Sequence, residues 1–96
     1  MRQINVNKIK QFDPYTDSVK WLNSQPDKTP LALLNAAKTI KEMKYVLLGI
    51  TSSLNDENSI NLRIFSLCEF THPVGSCYET FRSVVQHGID LLLTQE

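Results

Sequence analysis

Two apolar runs separated by a polar break dominate the middle of the chain. The runs span residues 45–51 and 60–67, and the break spans residues 54–59. Val, Ile, Phe and Thr are enriched in strands, whereas Asn, Asp and Ser favour turns. The pattern therefore predicts an antiparallel β-hairpin, with strands over about residues 45–54 and 60–70.

Strand alternation assigns the two faces of the second predicted strand. Ile60, Leu62 and Ile64 alternate with Asn61 and Arg63. Because successive side chains of a strand point to opposite faces, the three aliphatic residues are expected on the face toward the core. The first run is apolar on both faces, so alternation does not orient it.

A helical interpretation competes with the hairpin. Between residues 33 and 54, apolar residues recur at spacings of three and four, as on one face of a helix. They are Leu33, Ala36, Ile40, Met43, Leu47, Ile50 and Leu54. One helix from Pro30 through this segment would make the protein an all-α bundle. Its length, about twice the usual, and Gly49, which costs about 1 kcal/mol relative to alanine, favour the hairpin.

Local signals predict the elements of the N-terminal half. Asp13-Pro14 and Thr29-Pro30 are helix starts, because proline at the first helical position loses no needed donor. The first of the two predicted helices should end before Gln25-Pro26, since the residue before a proline avoids the helical region. Weak alternation of apolar and polar residues predicts a short edge strand near residues 3–7.

The C-terminal segment carries the clearest helix signal. Ser76 and Glu79 match a capping box, in which the two side chains satisfy free backbone donors. An apolar stripe follows, formed by Phe81, Val84, Val85, Gly88, Leu91 and Leu92. We expect this helix to pack across the hairpin, which gives a single small α+β domain over residues 1–96.

The net charge is zero, but the charges are unevenly distributed. Residues 1–44 carry eight Lys and Arg against four Asp and Glu, whereas residues 45–96 carry two against six. Such an asymmetry is found in proteins with a polyanion-binding half or a head-to-tail contact, but solvated faces on both halves are the simpler interpretation, which we favour. An apolar run of about 18 residues and the apolar core of a signal peptide are both lacking, so we expect a cytoplasmic protein with no membrane contact.

Candidate metal ligands and catalytic groups are few. Cys68, His72, Cys77 and His87 are the soft ligands, and His87 follows Cys77 by ten residues, roughly 15 Å along a helix. Structural zinc needs four ligands at one point, so we predict neither a metal nor another cofactor. A small-molecule- or metal-binding protein centred on the Cys68–Cys77 loop is the third hypothesis. A glycine-rich phosphate loop and a nucleophile elbow are also absent from the sequence, and we expect no enzymatic activity.

Four residues are the candidate binding residues. Lys38, Lys41 and Lys44 recur every three residues, as phosphate-binding clusters do, and Trp21 is of the type that anchors protein interfaces. We predict a non-catalytic protein-binding module: a regulator, inhibitor, immunity-type protein or small complex subunit. It would act through the sheet edge and helix faces, and we expect homodimerisation through that edge.

A DNA-binding regulator of the helix-turn-helix type is the alternative. It would require residues 54–59 to join two helices, and it would use the basic N-terminal half to contact DNA. Nucleic acid is the less favoured partner, because nucleic-acid-binding domains are usually strongly basic and this chain is neutral.

Overall fold

The computed structural model describes residues 3–9, 17–70 and 77–95, and these residues form six α-helices and no β-strand. In chain order the helices are α1 (Val6–Ile9), α2 (Asp17–Ser24), α3 (Pro30–Ala36), α4 (Ile40–Ser53), α5 (Asp56–Phe70) and α6 (Tyr78–Gln95). The all-α alternative is confirmed, and the predicted α+β fold is wrong. Across these three segments, every helix is too short or too polar to cross a membrane.

Two helices, α4 and α5, replace the predicted hairpin. The polar break interpreted as a hairpin turn contains the two-residue connection between these helices and the first turn of α5. Asn55 precedes that helix, and its Oδ1 accepts a hydrogen bond from the backbone N–H of Asn58 at 2.8 Å. Asp56 and Glu57 occupy the first turn, where carboxylates interact favourably with the helix dipole. Asn and Asp favour helix N-termini as well as turns, so this composition predicted the wrong element.

The first apolar run lies in α4, the central helix of the fold. Helices α1, α2, α3 and α6 all pack against it, and a helix covered on several sides is apolar all round. Its buried residues are Met43, Val46, Gly49 and Ile50. A Cβ at Gly49 would lie 3.1 Å from two side-chain atoms of Ile4. Gly49, which in the sequence argued against a helix, therefore permits close packing of the N-terminal segment.

The predicted long helix from Pro30 is divided into α3 and α4. The backbone at Ala37 is extended, with φ −71° and ψ 122°, and this ends α3. Thr39 is also extended, and its hydroxyl accepts a hydrogen bond from the backbone N–H of Glu42 at 3.1 Å to begin α4. The predicted start at Thr29-Pro30 is confirmed, with Pro30 in the first position of α3.

The N-terminal strand predicted near residues 3–7 is also wrong. Residues 3–5 have no regular structure, and α1 begins at Val6. The backbone N–H of Ile4 donates to the carbonyl of Lys28 at 2.9 Å, which ties this segment to the α2–α3 connection. Helix α2 ends at Ser24, just before Gln25-Pro26 as predicted. The predicted start at Asp13-Pro14 lies outside the described residues.

The C-terminal helix is confirmed, although Ser76 of its predicted capping box lies outside the described residues. Helix α6 packs against α4 and α5 with Gly88 on its buried face. At its end, Gln95 Oε1 accepts hydrogen bonds from Asn55 N at 2.7 Å and from Asn58 Nδ2 at 3.0 Å. The start of α5 therefore lies at the end of α6, and these two helices run antiparallel.

One continuous core joins the helices. Its buried residues are Ile4, Val6, Ile9, Val19, Leu22, Leu33, Leu34, Ala37, Met43, Val46, Ile50, Leu62, Val84, Val85 and Ile89. Helix α5 contributes Leu62 to this set, although it contains six other large or medium apolar residues. Most of the apolar surface of α5 therefore lies outside the fully buried core.

Candidate functional site

Trp21, predicted as a binding residue, contacts two residues of α4. Its indole Nε1 donates a hydrogen bond to Glu42 Oε2 at 3.0 Å, and its ring lies 6.2 Å from that of Tyr45 in a tilted arrangement. The indole is half-buried, and Glu42 of the same chain accepts the hydrogen bond of its N–H group, so the ring connects two helices. These contacts give Trp21 a structural role in joining α2 to α4.

Glu42 contacts two of the four predicted binding residues, Trp21 and Lys38. Besides accepting from Trp21, its carboxylate accepts a hydrogen bond from the backbone N–H of Lys38 at 2.8 Å through Oε1. Thr39 caps the same helix end by accepting from the Glu42 backbone. This arrangement varies the capping box, since the carboxylate reaches the residue before the N-cap instead of the N-cap itself.

Replacing Glu42 by alanine should lower the free energy of unfolding by about 1.5 kcal/mol, because a helix cap and a half-buried indole bond are lost together. Thermal unfolding followed by Trp21 fluorescence measures this loss, and the emission spectrum of the folded state should shift as well. Lys41→Ala on the same helix is the control, and it should leave the free energy of unfolding and the emission spectrum unchanged. A Glu42→Ala variant as stable as the control would refute this role.

The three predicted lysines do not form one helical stripe. Lys38 precedes α4, and its Nζ donates to the Asn35 carbonyl at 3.1 Å, in the last turn of α3. Lys44 Nζ lies 5.4 Å from the centroid of the Phe81 ring, a cation–π distance that connects α4 to α6. Lys41 is exposed. Two of the three cations therefore contact their own chain, and binding by any of them stays a prediction.

Helix α5 exposes an apolar surface that the sequence reasoning missed. Ile60 is 54% exposed, Ile64 is 56% exposed and Leu67 is 61% exposed. Residues four and three apart are neighbours on a helix, so these side chains form one continuous row, here called the α5 stripe. The hairpin prediction had placed Ile60 and Ile64 toward the core beside Leu62. On the helix they lie opposite Leu62, which is 2% exposed.

A groove lies between α5 and α6, on a different side of α5 from the stripe. The stacked rings of Phe65 and His87 line it, with centroids 4.1 Å apart and planes inclined by 14°. The groove has a volume of about 460 Å³, and its α6 wall is polar, lined by Glu79, Arg82, Ser83, Gln86 and Asp90. Ile64 and Phe65 are consecutive, and consecutive helix residues point about 100° apart, so the α5 stripe and this groove lie on different sides of α5.

The candidate metal ligands are not brought together in the described residues. Cys68 and Cys77 are both exposed, and His72 lies outside the described residues. In the three described segments, no group of three His, Cys, Asp or Glu residues could hold a metal ion. A hydrogen bond with Thr80 at the start of α6 lowers the pKa of the Cys77 thiol below its usual value of 9.0.

The α4–α5 connection bears on the helix-turn-helix alternative. Two residues, Leu54 and Asn55, join the two helices. A helix-turn-helix needs a short connection of this kind. However, the first turn of α5 carries Asp56 and Glu57, and the helix contains one basic residue, Arg63. Carboxylates at the end of a recognition helix would repel DNA phosphates. The geometry therefore gives the DNA-binding alternative no support beyond the short connection.

The chain matches none of the protein-family models, characterised proteins and solved structures with which it was compared. The function is therefore argued from the geometry and chemistry of the described residues.

Proposed function

We propose that this protein is a non-catalytic protein-binding module that binds its partner through the α5 stripe. The predicted sheet edge has no counterpart in the helical fold, so the helix face takes its place in this proposal. The observation that carries it is the row of three large aliphatic side chains, each more than half exposed, on one helix. Exposed apolar residues grouped in this way mark interaction sites.

Single exposed apolar residues elsewhere do not carry the same meaning. Leu31, Ile40 and Leu93 are 49%, 37% and 47% exposed, and they lie on three different helices. Scattered exposure of this kind is common on protein surfaces. The α5 stripe differs because its members are neighbours, and because covering each half-exposed side chain would stabilise a complex by about 1 kcal/mol.

A double substitution in the stripe should weaken partner binding without unfolding the protein. Ile64→Ser with Leu67→Ser replaces exposed apolar groups by small polar ones, so the stability should change little. Losing about 2 kcal/mol of binding energy corresponds to a roughly 30-fold weaker complex. The measurement is quantitative mass spectrometry of proteins that co-purify with the tagged protein from an extract of its source cells.

Leu31→Ser provides the matched control, because Leu31 is a comparably exposed leucine on α3. Proteins captured by the wild type and by Leu31→Ser, but lost with the double variant, would identify stripe-dependent partners. Circular dichroism and melting temperatures establish that both variants fold. If the double variant captures the same proteins as the control at the same level, the α5 stripe is not the binding surface.

A further inference from the structure

Helix α5 has apolar residues on two opposite sides. Leu62 packs at Gly88 of α6 inside the core, whereas Ile60 and Ile64 of the α5 stripe lie on the outer side. The three stripe residues follow one another at spacings of four and three. Apolar residues at these spacings form the seam through which one helix packs lengthwise against another. The outer side of α5 therefore has the pattern of a helix that pairs with a second helix.

One end of α5 lies beside the lysine-rich start of α4. Phe70 of α5 packs against Phe81 of α6, with ring centroids 4.6 Å apart, and Lys44 Nζ lies 5.4 Å from the Phe81 centroid. The Tyr78 hydroxyl, in the first turn of α6, donates a hydrogen bond at 2.8 Å to the backbone carbonyl of the residue before Lys38. The last turn of α5, the start of α6 and the start of α4 therefore share one end of the molecule, here called the lysine end.

The opposite end of α5 is acidic. Asp56 and Glu57 form its first turn, and both are exposed. The hydrogen bonds of Asn55 and Asn58 to Gln95 place this turn beside the end of α6. Helix α4 also ends here, two residues before α5 begins, and the C-terminal end of a helix carries partial negative charge. This is here called the acidic end.

The two ends differ in net charge. Among α4, α5, α6 and the connection before α4, the lysine end carries four basic side chains against three acidic ones, namely Lys38, Lys41, Lys44 and Arg82 against Glu42, Glu69 and Glu79. The acidic end carries Asp56, Glu57 and Asp90 and no basic side chain of these helices. Arg63 lies near the middle of α5. The outer side of α5 therefore runs from a negative end to a weakly positive one.

A second copy of the chain complements this polarity when its α5 lies antiparallel across the first. A two-fold axis perpendicular to α5 reverses one copy end for end, so the acidic end of each copy lies beside the lysine end of the other. A parallel pair would instead bring the two acidic ends together. Because the chain carries ten basic and ten acidic side chains, two copies also approach each other without net repulsion.

The size of the contact indicates a weak and reversible pair. Three half-exposed aliphatic side chains present on the order of 300 Å² in each copy. Even with the flanking polar residues, the two copies together cover less than the roughly 1,200 Å² at which lasting complexes begin. We therefore expect a dissociation constant on the order of 50 µM, as is typical of transient contacts of this size.

We infer that the protein forms a reversible two-fold dimer, in which the α5 stripes of two copies pack antiparallel and the acidic end of each copy lies beside the lysine end of the other. This inference rests on the proposed function and names a second copy of the chain as a partner at that site. A helix face takes the place of the sheet edge through which the sequence predicted homodimerisation.

Sedimentation equilibrium from about 2 to about 500 µM protein measures the association across the expected dissociation constant. The wild type should fit a monomer–dimer equilibrium with no larger species. Ile64→Ser with Leu67→Ser should raise the dissociation constant at least about 30-fold, because both copies lose apolar contact. Leu31→Ser on α3 is the control and should leave the dissociation constant unchanged.

Paramagnetic labelling measures the orientation of the two copies. Cys68→Ser leaves Cys77 as the one thiol of the chain, next to the start of α6 and therefore at the lysine end. A copy with a nitroxide on Cys77 is mixed with a ¹⁵N-labelled copy without nitroxide, so any broadened amide reports a contact between copies. Antiparallel pairing predicts broadening of the amides from Asp56 to Ile60. The double variant in the stripe should abolish this broadening.

Broadening confined to residues 67–70 would indicate a parallel pair and would overturn the inference. So would a dimer that the double variant leaves intact, or assemblies larger than a dimer. A monomer over the whole concentration range would overturn it as well. If such a monomer still loses co-purifying proteins in the double variant, the proposed function stands without the dimer. If it loses none, the inference and the proposed function both fail.

Discussion

Replacing Leu62 by alanine is expected to lower the free energy of unfolding by about 3 kcal/mol, whereas replacing Ile64 by alanine should lower it by less than about 0.5 kcal/mol. Leu62 is 2% exposed and packs beside Gly88 of α6, so its truncation leaves a cavity in the core. Ile64 is 56% exposed, and the higher helix propensity of alanine offsets what little packing is lost.

The comparison separates a helix from a strand at this position. Residues two apart share a face in a strand but lie on opposite sides of a helix. Urea unfolding followed by circular dichroism gives both free energies. A loss of about 3 kcal/mol lowers the melting temperature of a domain this small by roughly 15 °C. Similar losses for Leu62→Ala and Ile64→Ala would show that the two side chains share one environment, which would contradict the helical α5.

Replacing Gly88 by valine should cost about 3 kcal/mol of stability. A Cβ at this position would lie 2.8 Å from Ile50 Cγ2 and 3.3 Å from Leu62 Cδ2. Neither side chain has room to move, because Ile50 is fully buried and Leu62 nearly so. Overpacking of a well-filled core costs 1–3 kcal/mol or more, and here it separates α6 from both α4 and α5.

Ser83→Val is the matched control for the Gly88 substitution. It introduces the same β-branched residue into the same helix at an exposed position, so it should change stability by less than about 0.5 kcal/mol. Calorimetry or thermal circular dichroism on the two variants gives the comparison. If Gly88→Val has the same melting temperature as Ser83→Val, the three helices do not pack as closely as they do in the structure.

Local signals predicted an element correctly where a single short segment of sequence determines that element. Thr29-Pro30 begins α3 through the fixed backbone of proline, and α6 follows from its apolar stripe. The hairpin prediction failed where one local signal serves two structures. Asn55 and the acidic residues after it suit a turn as well as a helix N-terminus, and the choice between them depends on packing around α4.

The candidate site depended on that same choice. Assigning residues 60–67 to a strand placed Ile60 and Ile64 inside, so the α5 stripe could not be found until the element was known. Trp21, Lys38 and Lys44 were recognised as chemically notable side chains. Their contacts with Glu42, the Asn35 carbonyl and Phe81 depend on tertiary structure, which spacing along the chain does not reveal.

The proposed function requires that α5 has one face in the core and one face in solvent. Methyl NMR with a soluble paramagnetic gadolinium chelate measures this, because relaxation enhancement reports the distance of each methyl group from solvent. We predict strong enhancement for the methyl groups of Ile60, Ile64 and Leu67, and weak enhancement for those of Ile50 and Leu62. Equal protection of Ile60, Leu62 and Ile64 would contradict both the helical α5 and the binding surface built on it.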